Sequence, residues 1–309
     1  MNLHALFRQV ARRPLVSLLL LLSFGVPAHA ALNVVACEPE WGSLAKEIGG
    51  DRVNVSSATT ATQDPHRIEA RPSLIARMRN ADLVVCTGLD LEVGWLPMLI
   101  QQSGNAKLAP GAPGYFEAGR FVTPLEVPVR LDRSDGDVHA QGNPHIQLDP
   151  RNIAKVATAL AERLARIDAP NAATYQERLR AFQSRWRASL AKWDQQAQPL
   201  KGVPVVAHHK NMSYLWAWLG VREVGTLEPK PGVEPSAGHL TALSAQLARE
   251  PAKMVVRAAY QDARASQWLA DNAKVRAVVL PFTVGGNDKA PDLFGLFDST
   301  VALLLEGAR

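Results

Sequence analysis

Short apolar segments alternate with amphipathic helical segments along most of this chain, and this alternation constrains the fold more than any other feature. Between residues 32 and 102 the pattern is strand, helix, strand, helix, strand, helix. The alternation starts again at residue 203 and ends in a helix predicted over 292–305. Strand–helix–strand units of this length form right-handed crossovers, so the pattern predicts mostly parallel sheets covered by helices. The expected fold class is therefore α/β.

A long helical segment separates the two halves. Residues 172–195 contain no glycine or proline and are rich in Arg, Ala, Leu and Trp. A helix of this length spans about 35 Å, enough to connect two lobes as a rigid element. The sequence thus predicts four regions, namely a signal peptide at 1–30, an N-terminal lobe at 31–170, a linking helix at 171–200 and a C-terminal lobe at 201–309.

The N-terminus has the organisation of an export signal. Three arginines between residues 8 and 13 precede an apolar run over 15–26, and Ala28-His29-Ala30 follows as a small-residue cleavage site. As a helix the run rises only about 18 Å, too short for a hydrocarbon core of about 30 Å. We therefore expect export to the periplasm with cleavage after Ala30. Lipid attachment at Cys37 is the alternative, but Cys37 ends a predicted core strand, which favours a soluble exported protein.

Charge and cysteine content narrow the functional classes further. Beyond residue 30 the chain carries 31 basic and 29 acidic residues, without a basic stripe, so no nucleic-acid partner is expected. The two cysteines, Cys37 and Cys86, each follow an apolar run that predicts a strand. An even number of cysteines in an exported chain favours a disulfide, and two buried free thiols are the alternative.

Histidines follow predicted strands and loops in both halves. His66 belongs to the segment Asp64-Pro65-His66, and His145 belongs to the segment Asn143-Pro144-His145. His208 and His209 follow the predicted strand 203–207 directly. Ligands of open parallel sheets bind beyond the carboxyl ends of the strands, and imidazole suits Zn, Cu, Ni and Fe. The sequence therefore predicts a metal site, and it has no HExxH motif, nucleophile elbow or phosphate-binding loop.

Taken together, these segments resemble the metal-binding (cluster A-I) solute-binding proteins of ABC transporters, most closely the zinc-specific branch. The resemblance rests on four ordered motifs, namely Asp64-Pro65-His66, Ala81–Cys86 with Gly88–Glu92, Asn143-Pro144-His145 with Leu148-Asp149-Pro150, and His209 with Tyr214. It implies two lobes, each with a central mostly parallel sheet flanked by helices, joined by one long spine helix. It also implies high-affinity capture of periplasmic Zn²⁺ and delivery to an ABC transporter membrane permease. A monomer is expected, and loading by a periplasmic metallochaperone stays open.

The resemblance assigns three metal ligands residue by residue. These are His66, His145 and His209. His209 is preferred to His208 because it lies five residues before Tyr214. Three imidazoles favour Zn²⁺, since Mn²⁺ prefers oxygen ligands. Manganese or another divalent metal remains the alternative for the same fold.

The fourth ligand is where the sequence departs from the family pattern. The family places a carboxylate in the loop after the last strand, and Asp288 is the nearest one here. Asp64, Glu228 or a water are the alternatives. His139 lies in the acidic segment 131–144, which we expect to be a mobile lid rather than a second metal site.

An exported zinc hydrolase is the competing functional class. Three histidines with a bound water would suffice for such chemistry. The sequence, however, gives no signal for a general base or a substrate pocket, so we expect a binding protein rather than an enzyme.

Overall fold

The computed structural model describes residues 30–309, so the predicted signal peptide, apart from its last residue, lies outside the described part. Two four-stranded sheets form its centre. The first contains β1 (Leu32–Ala36), β2 (Val53–Ser57), β3 (Leu83–Cys86) and β4 (Tyr115–Glu117). The second contains β5 (Pro204–Ala207), β6 (Arg222–Thr226), β7 (Met254–Ala258) and β8 (Arg276–Leu280). All neighbouring strands are parallel, and the orders β2-β1-β3-β4 and β6-β5-β7-β8 are equivalent.

Helices cover both sheets. They are α1 (Pro39–Gly49), α2 (Pro72–Arg79), α3 (Leu96–Ser103), α4 (Pro150–Ile167), α5 (Ala172–Gln196), α6 (Ser213–Leu219), α7 (Ala237–Leu247), α8 (Ala263–Ala273) and α9 (Leu293–Gly307). The 25-residue α5 lies between the two halves and packs on α1 and α4 of the first and on α9 of the second. The predicted class, two α/β lobes joined by a long helix, is confirmed. Within residues 30–309 no helix is both long enough and apolar enough to cross a bilayer.

The central strands are apolar on both faces because both faces are covered. In β1, Val34 and Ala36 pack into one hydrophobic core, whereas Val35 and the following Cys37 pack into another on the opposite face. This is the alternation that a pleated strand imposes, and continuous apolar runs are typical of parallel strands buried on both sides. Cys37 and Cys86 lie in the same core and are joined by a disulfide.

The linking helix α5 carries an aromatic stripe that contacts both lobes. Its buried residues are Tyr175, Leu179, Phe182, Trp186 and Trp193. Their spacing of three, four or seven places them on one face of the helix. The ring of Trp186 lies 5.0 Å from that of Phe294 in α9, and its indole Nε1 donates to the carbonyl of Pro150 in α4 at 2.8 Å. One side chain therefore ties the helix to both halves.

Two local features differ from the sequence prediction. The helix expected from residue 91 begins at Leu96, because the Glu92 carboxylate accepts the backbone N–H groups of Thr87 and Gly88 in a preceding turn. Strand β4 is only three residues long and gave no recognisable pattern. The segment 131–144 contacts the second lobe, where the N–H of Asp137 donates to the carbonyl of Pro231 at 2.8 Å, and its mobility as a lid stays a prediction.

Candidate metal-binding site

The two Asx-Pro-His segments fold into the same kind of turn. Oδ1 of Asp64 accepts the backbone N–H of His66 at 3.0 Å, and Oδ1 of Asn143 accepts that of His145 at 3.0 Å. Asp and Asn side chains close such turns two residues ahead, and the intervening proline restricts the backbone. Each histidine is therefore held in place by a hydrogen bond within its own motif.

Tyr214 connects one of these turns to the second lobe. Its hydroxyl donates to the carbonyl of Asn143 at 2.8 Å and accepts the N–H of Leu125 at 2.9 Å. The amide of Asn143 also donates to the carbonyl of Lys210, next to His209, at 2.9 Å. The turn that presents His145 is thus anchored on the lobe that carries His209.

The three histidines assigned as ligands from the sequence lie close together. The ring centroids of His66 and His145 are 5.4 Å apart, and those of His145 and His209 are 6.2 Å apart. The third distance, between His66 and His209, is 6.3 Å. His209 enters from the second lobe just after β5, so the group lies between the two sheets near strand ends.

His139 is a fourth imidazole in the same place. Its Nε2 is 3.3 Å from Nε2 of His66, and the two rings are stacked with centroids 5.3 Å apart. Two nitrogens that share a tetrahedral Zn²⁺ at ~2.0–2.1 Å lie about 3.3–3.4 Å apart. The two nitrogens are therefore close enough to share either a proton, as a hydrogen bond, or a metal ion. The sequence analysis placed His139 in a lid, because an isolated histidine in an aperiodic loop carries no signal of where the loop packs.

Two carboxylates support this four-histidine cluster from behind. Oδ1 of Asp64 lies 2.7 Å from Nδ1 of His66, and Oε2 of Glu228 lies 2.6 Å from Nδ1 of His209. Burial opposes ionisation of Asp64, but its hydrogen bonds with His66 outweigh this effect and lower its pKa. A carboxylate on Nδ1 orients the ring and leaves Nε2 free for a metal. Asp64 and Glu228 therefore orient the rings of His66 and His209.

His145 is the most deeply buried member of the cluster. It is 1% exposed, and within residues 30–309 its Nδ1 has no hydrogen-bond partner. Its ring packs edge-on against Phe282, with centroids 5.5 Å apart. Burial lowers the pKa of His145 well below its usual value and also lowers that of His139. Both rings are therefore neutral near pH 7, the form that binds metal.

The remaining candidates lie elsewhere. Asp288 is exposed in a turn after β8, and it is absent from the walls of both cavities that border the cluster. The neighbouring Asn287 donates to Ser299 of α9 at 2.9 Å, so this turn packs on α9. His239 lies in the first turn of α7 with Nε2 2.9 Å from the carbonyl of Thr226. The structure does not bring either side chain to the cluster.

The molecule has two α/β lobes with the same strand order and a long connecting helix. Its histidine rings lie close together between the lobes. These features define a two-lobed binding protein with a candidate metal centre. Residues 34–307 match the family described as ZnuA, zinc-uptake complex component A, periplasmic, and the chain belongs to this family. The family description names a component of an uptake complex, which favours a binding protein over the hydrolase alternative.

Individual relatives are metal-binding lipoproteins, but they are named for different metals. The chain is 29% identical to the manganese ABC transporter substrate-binding lipoprotein scaA of Streptococcus gordonii over 158 residues, covering 50% of this chain and 48% of the relative. It is 26% identical to the zinc-binding lipoprotein AdcA of Streptococcus pneumoniae over 271 residues, covering 82% of this chain and 49% of the relative. The chain thus spans about half the length of these curated relatives.

The fold is also shared with a solved structure. A crystal structure of ZnuA superposes with a TM-score of 0.73 at 23% identity, covering 89% of this chain and 99% of that one. At this identity the likeness establishes the two-lobed fold, and the chemistry must be argued from the residues of this chain.

Proposed function

We propose that this protein captures Zn²⁺ between its lobes and delivers it to the membrane permease of an ABC transporter. The proposed ligands are His66, His139, His145 and His209. The observation that carries the proposal is the convergence of these four imidazoles, with two Nε2 atoms 3.3 Å apart. His139 takes the place for which the sequence suggested Asp288.

The choice of zinc over manganese rests on the donor atoms. Mn²⁺ prefers carboxylate, carbonyl and water oxygens, whereas Zn²⁺ accepts a tetrahedral set of nitrogens. The two nearest carboxylates, Asp64 and Glu228, are held on imidazole Nδ1 atoms. Four imidazoles on a tetrahedral Zn²⁺ have ring centroids about 5 Å apart. Three of the observed separations are 5.4–6.3 Å, and within residues 30–309 no three of these histidines have ring nitrogens that all lie within 4.8 Å of one another, so we expect binding to draw the rings together.

Export to the periplasm completes the proposal. The N-terminal sequence predicts a signal peptide cleaved after Ala30, and the family is described as periplasmic. The Cys37–Cys86 disulfide supports this location, because such bonds persist in oxidising compartments.

The test is the metal content of residues 31–309 purified without chelator, followed by competitive Zn²⁺ titration of the stripped protein. We expect one tightly held zinc per chain. Because loss of a carboxylate behind a ligand weakens metal binding about 10–100-fold, His139→Ala should weaken it by at least ~100-fold. His239→Ala is the matched control and should bind normally. A chain without zinc, or with manganese at the same stoichiometry, contradicts zinc capture.

Asp288→Ala separates the two candidates for the fourth ligand. We expect this variant to bind Zn²⁺ as the parent does, because Asp288 is exposed and absent from the cavities around the cluster. If instead Asp288→Ala weakens binding and His139→Ala does not, the fourth ligand is the carboxylate.

A further inference from the structure

Backbone strain is concentrated around the turn that presents His145. Within residues 30–309 five residues other than glycine have a positive φ, a conformation that is unfavourable for an L-amino acid. Three of the five contact the segment 141–145. They are Asp90, Glu126 and Phe282, which contact Gln141, Asn143 and His145 in that order. Such strain persists only where surrounding contacts compensate for it, and it tends to cluster at functional sites.

Of these three residues, Glu126 has a carboxylate that connects the two lobes. Its Oε2 accepts the side-chain amide of Asn143 at 2.9 Å and the hydroxyl of Ser213, the first residue of α6, at 2.9 Å. Its Oε1 lies 3.4 Å from Nζ of Lys210, which directly follows His209. One side chain therefore joins the turn of the first lobe to the segment of the second lobe that carries a proposed ligand.

The hydrogen bonds, rather than the ion pair, carry this connection. The side chain of Lys210 is 51% exposed, and exposed ion pairs contribute little to stability. A carboxylate that accepts from an amide and a hydroxyl, in contrast, makes charge-assisted hydrogen bonds, which are stronger than neutral ones. The contact with Asn143 is also sheltered, because Asn143 is only 8% exposed.

Through Asn143 the carboxylate acts on His145. Oδ1 of Asn143 accepts the N–H of His145 at 3.0 Å and so closes the turn. The two hydrogens of its Nδ2 are directed to Glu126 and to the carbonyl of Lys210, both at 2.9 Å. The amide is therefore held on its donor side by Glu126 while its acceptor side orients the histidine.

The backbone that carries Glu126 is fixed to the same turn. The N–H of Leu125 donates to the hydroxyl of Tyr214 at 2.9 Å, and its carbonyl accepts the N–H of Asn143 at 2.8 Å. These bonds leave the carboxylate of the next residue little freedom to move away from Asn143. They also supply contacts that compensate for the left-handed backbone at Glu126, whose φ is 55°.

We propose that Glu126 is a positioning residue of the metal site, which holds His145 in register with His209 across the two lobes. It acts through the amide of Asn143 and is not itself a proposed ligand. This inference rests on the proposed function, since it names what aligns two ligands of the same site.

The first test compares Zn²⁺ affinity with the stability of the metal-free protein in Glu126→Gly and Lys274→Gly. Lys274 follows α8, is exposed and also has a φ of 55°, so it is a matched control for the backbone. Glycine adopts this φ without strain, so neither variant should lower the midpoint of urea unfolding appreciably. Glu126→Gly should nevertheless weaken Zn²⁺ binding about 3–10-fold, somewhat less than the about 10–100-fold expected for a residue in direct contact with a ligand. Lys274→Gly should bind as the parent does.

Glu126→Gln is the conservative variant that should restore binding. Its amide oxygen can still accept from Asn143 and Ser213, so its Zn²⁺ affinity should lie within about threefold of the parent. A loss as large as that of Glu126→Gly would show that the charge acts without the hydrogen bonds, and it would overturn the positioning role.

The second test uses amide hydrogen exchange of the metal-free protein and needs no bound ion. The N–H groups of Asn143 and His145 should exchange at least about threefold faster in Glu126→Gly than in the parent, because the turn opens more often. They should exchange at the parent rate in Lys274→Gly. A merely structural role elsewhere in the fold would not change these two amides, so unchanged exchange contradicts the inference.

The outcomes separate this inference from the proposed function. Tight Zn²⁺ binding by the parent together with parent-like affinity in Glu126→Gly refutes the positioning role and leaves zinc capture intact. An equal loss of affinity in Lys274→Gly would indicate a general effect of glycine and would also refute it. Failure of the parent to bind Zn²⁺ would refute the proposed function and, with it, the inference that depends on it.

Discussion

Glu40 joins the two lobes through a buried hydrogen bond, and its titration should set part of the pH dependence of stability. The residue lies in the first turn of α1, is 1% exposed, and accepts the hydroxyl of Thr283, which follows β8 in the other lobe. Burial raises the pKa of Glu40 to about 7. Glu38 and Glu92 are also buried, and burial raises the pKa of Glu92 to about 7 as well.

The sign and size of the effect follow from proton linkage. A carboxyl whose folded pKa is raised stabilises the fold below its unfolded pKa, and this contribution is lost as the pH rises through the folded value. For Glu40 the loss falls between about pH 4.5 and pH 7. With one pKa unit equal to about 1.4 kcal/mol, a group with these two pKa values loses about 2–3 kcal/mol of unfolding free energy from pH 5 to pH 8.

The assay is urea unfolding of metal-free protein at pH 5, 6, 7 and 8. Glu40→Gln keeps an acceptor for Thr283 but cannot ionise, so its unfolding free energy should fall less than that of the parent by about 2–3 kcal/mol over this range. Glu92 titrates in both proteins and largely cancels in the difference, whereas Glu38, whose pKa is raised by burial and in part by the Glu40 charge, adds to it. Glu162→Gln, an exposed carboxylate variant, should follow the parent. A difference between Glu40→Gln and the parent that stays constant with pH would refute the reasoning.

Three further outcomes test the site and the core. Glu228→Gln should weaken Zn²⁺ binding about 10–100-fold in competitive titration, because the carboxylate that orients His209 is lost; unchanged affinity would show that it does not support the ligand. Replacing Cys37 and Cys86 together by Ser should lower the unfolding free energy by about 4 kcal/mol, since the disulfide closes a 49-residue separation in the unfolded chain; a loss below about 1 kcal/mol in urea unfolding would contradict this. Trp186→Ala should cost about 3–5 kcal/mol in the same assay, and a smaller loss would mean that the aromatic stripe repacks around the gap.

The fold was predictable because its signals are local. Apolar runs such as Ala81–Cys86 identify strands that are buried on both faces of the sheet. A long segment without glycine or proline identifies the helix that connects the lobes. The three-residue β4 was missed, because so short a strand is defined by its pairing with β3 rather than by a pattern of its own. The late start of α3 was missed because the Glu92 carboxylate holds a turn that no periodicity reveals.

The sequence by itself determined the turns that present His66 and His145, since in each the histidine N–H donates to the side chain two positions earlier. Only the tertiary structure decided that His139, 73 residues from His66, stands 3.3 Å from it. Likewise, the hydrogen bond that the buried Glu40 accepts comes from Thr283, 243 residues away. Hydrogen bonds within a turn and the burial of a strand are encoded by neighbouring residues. Distances between imidazoles and the desolvation of a carboxyl exist only after distant segments have packed together.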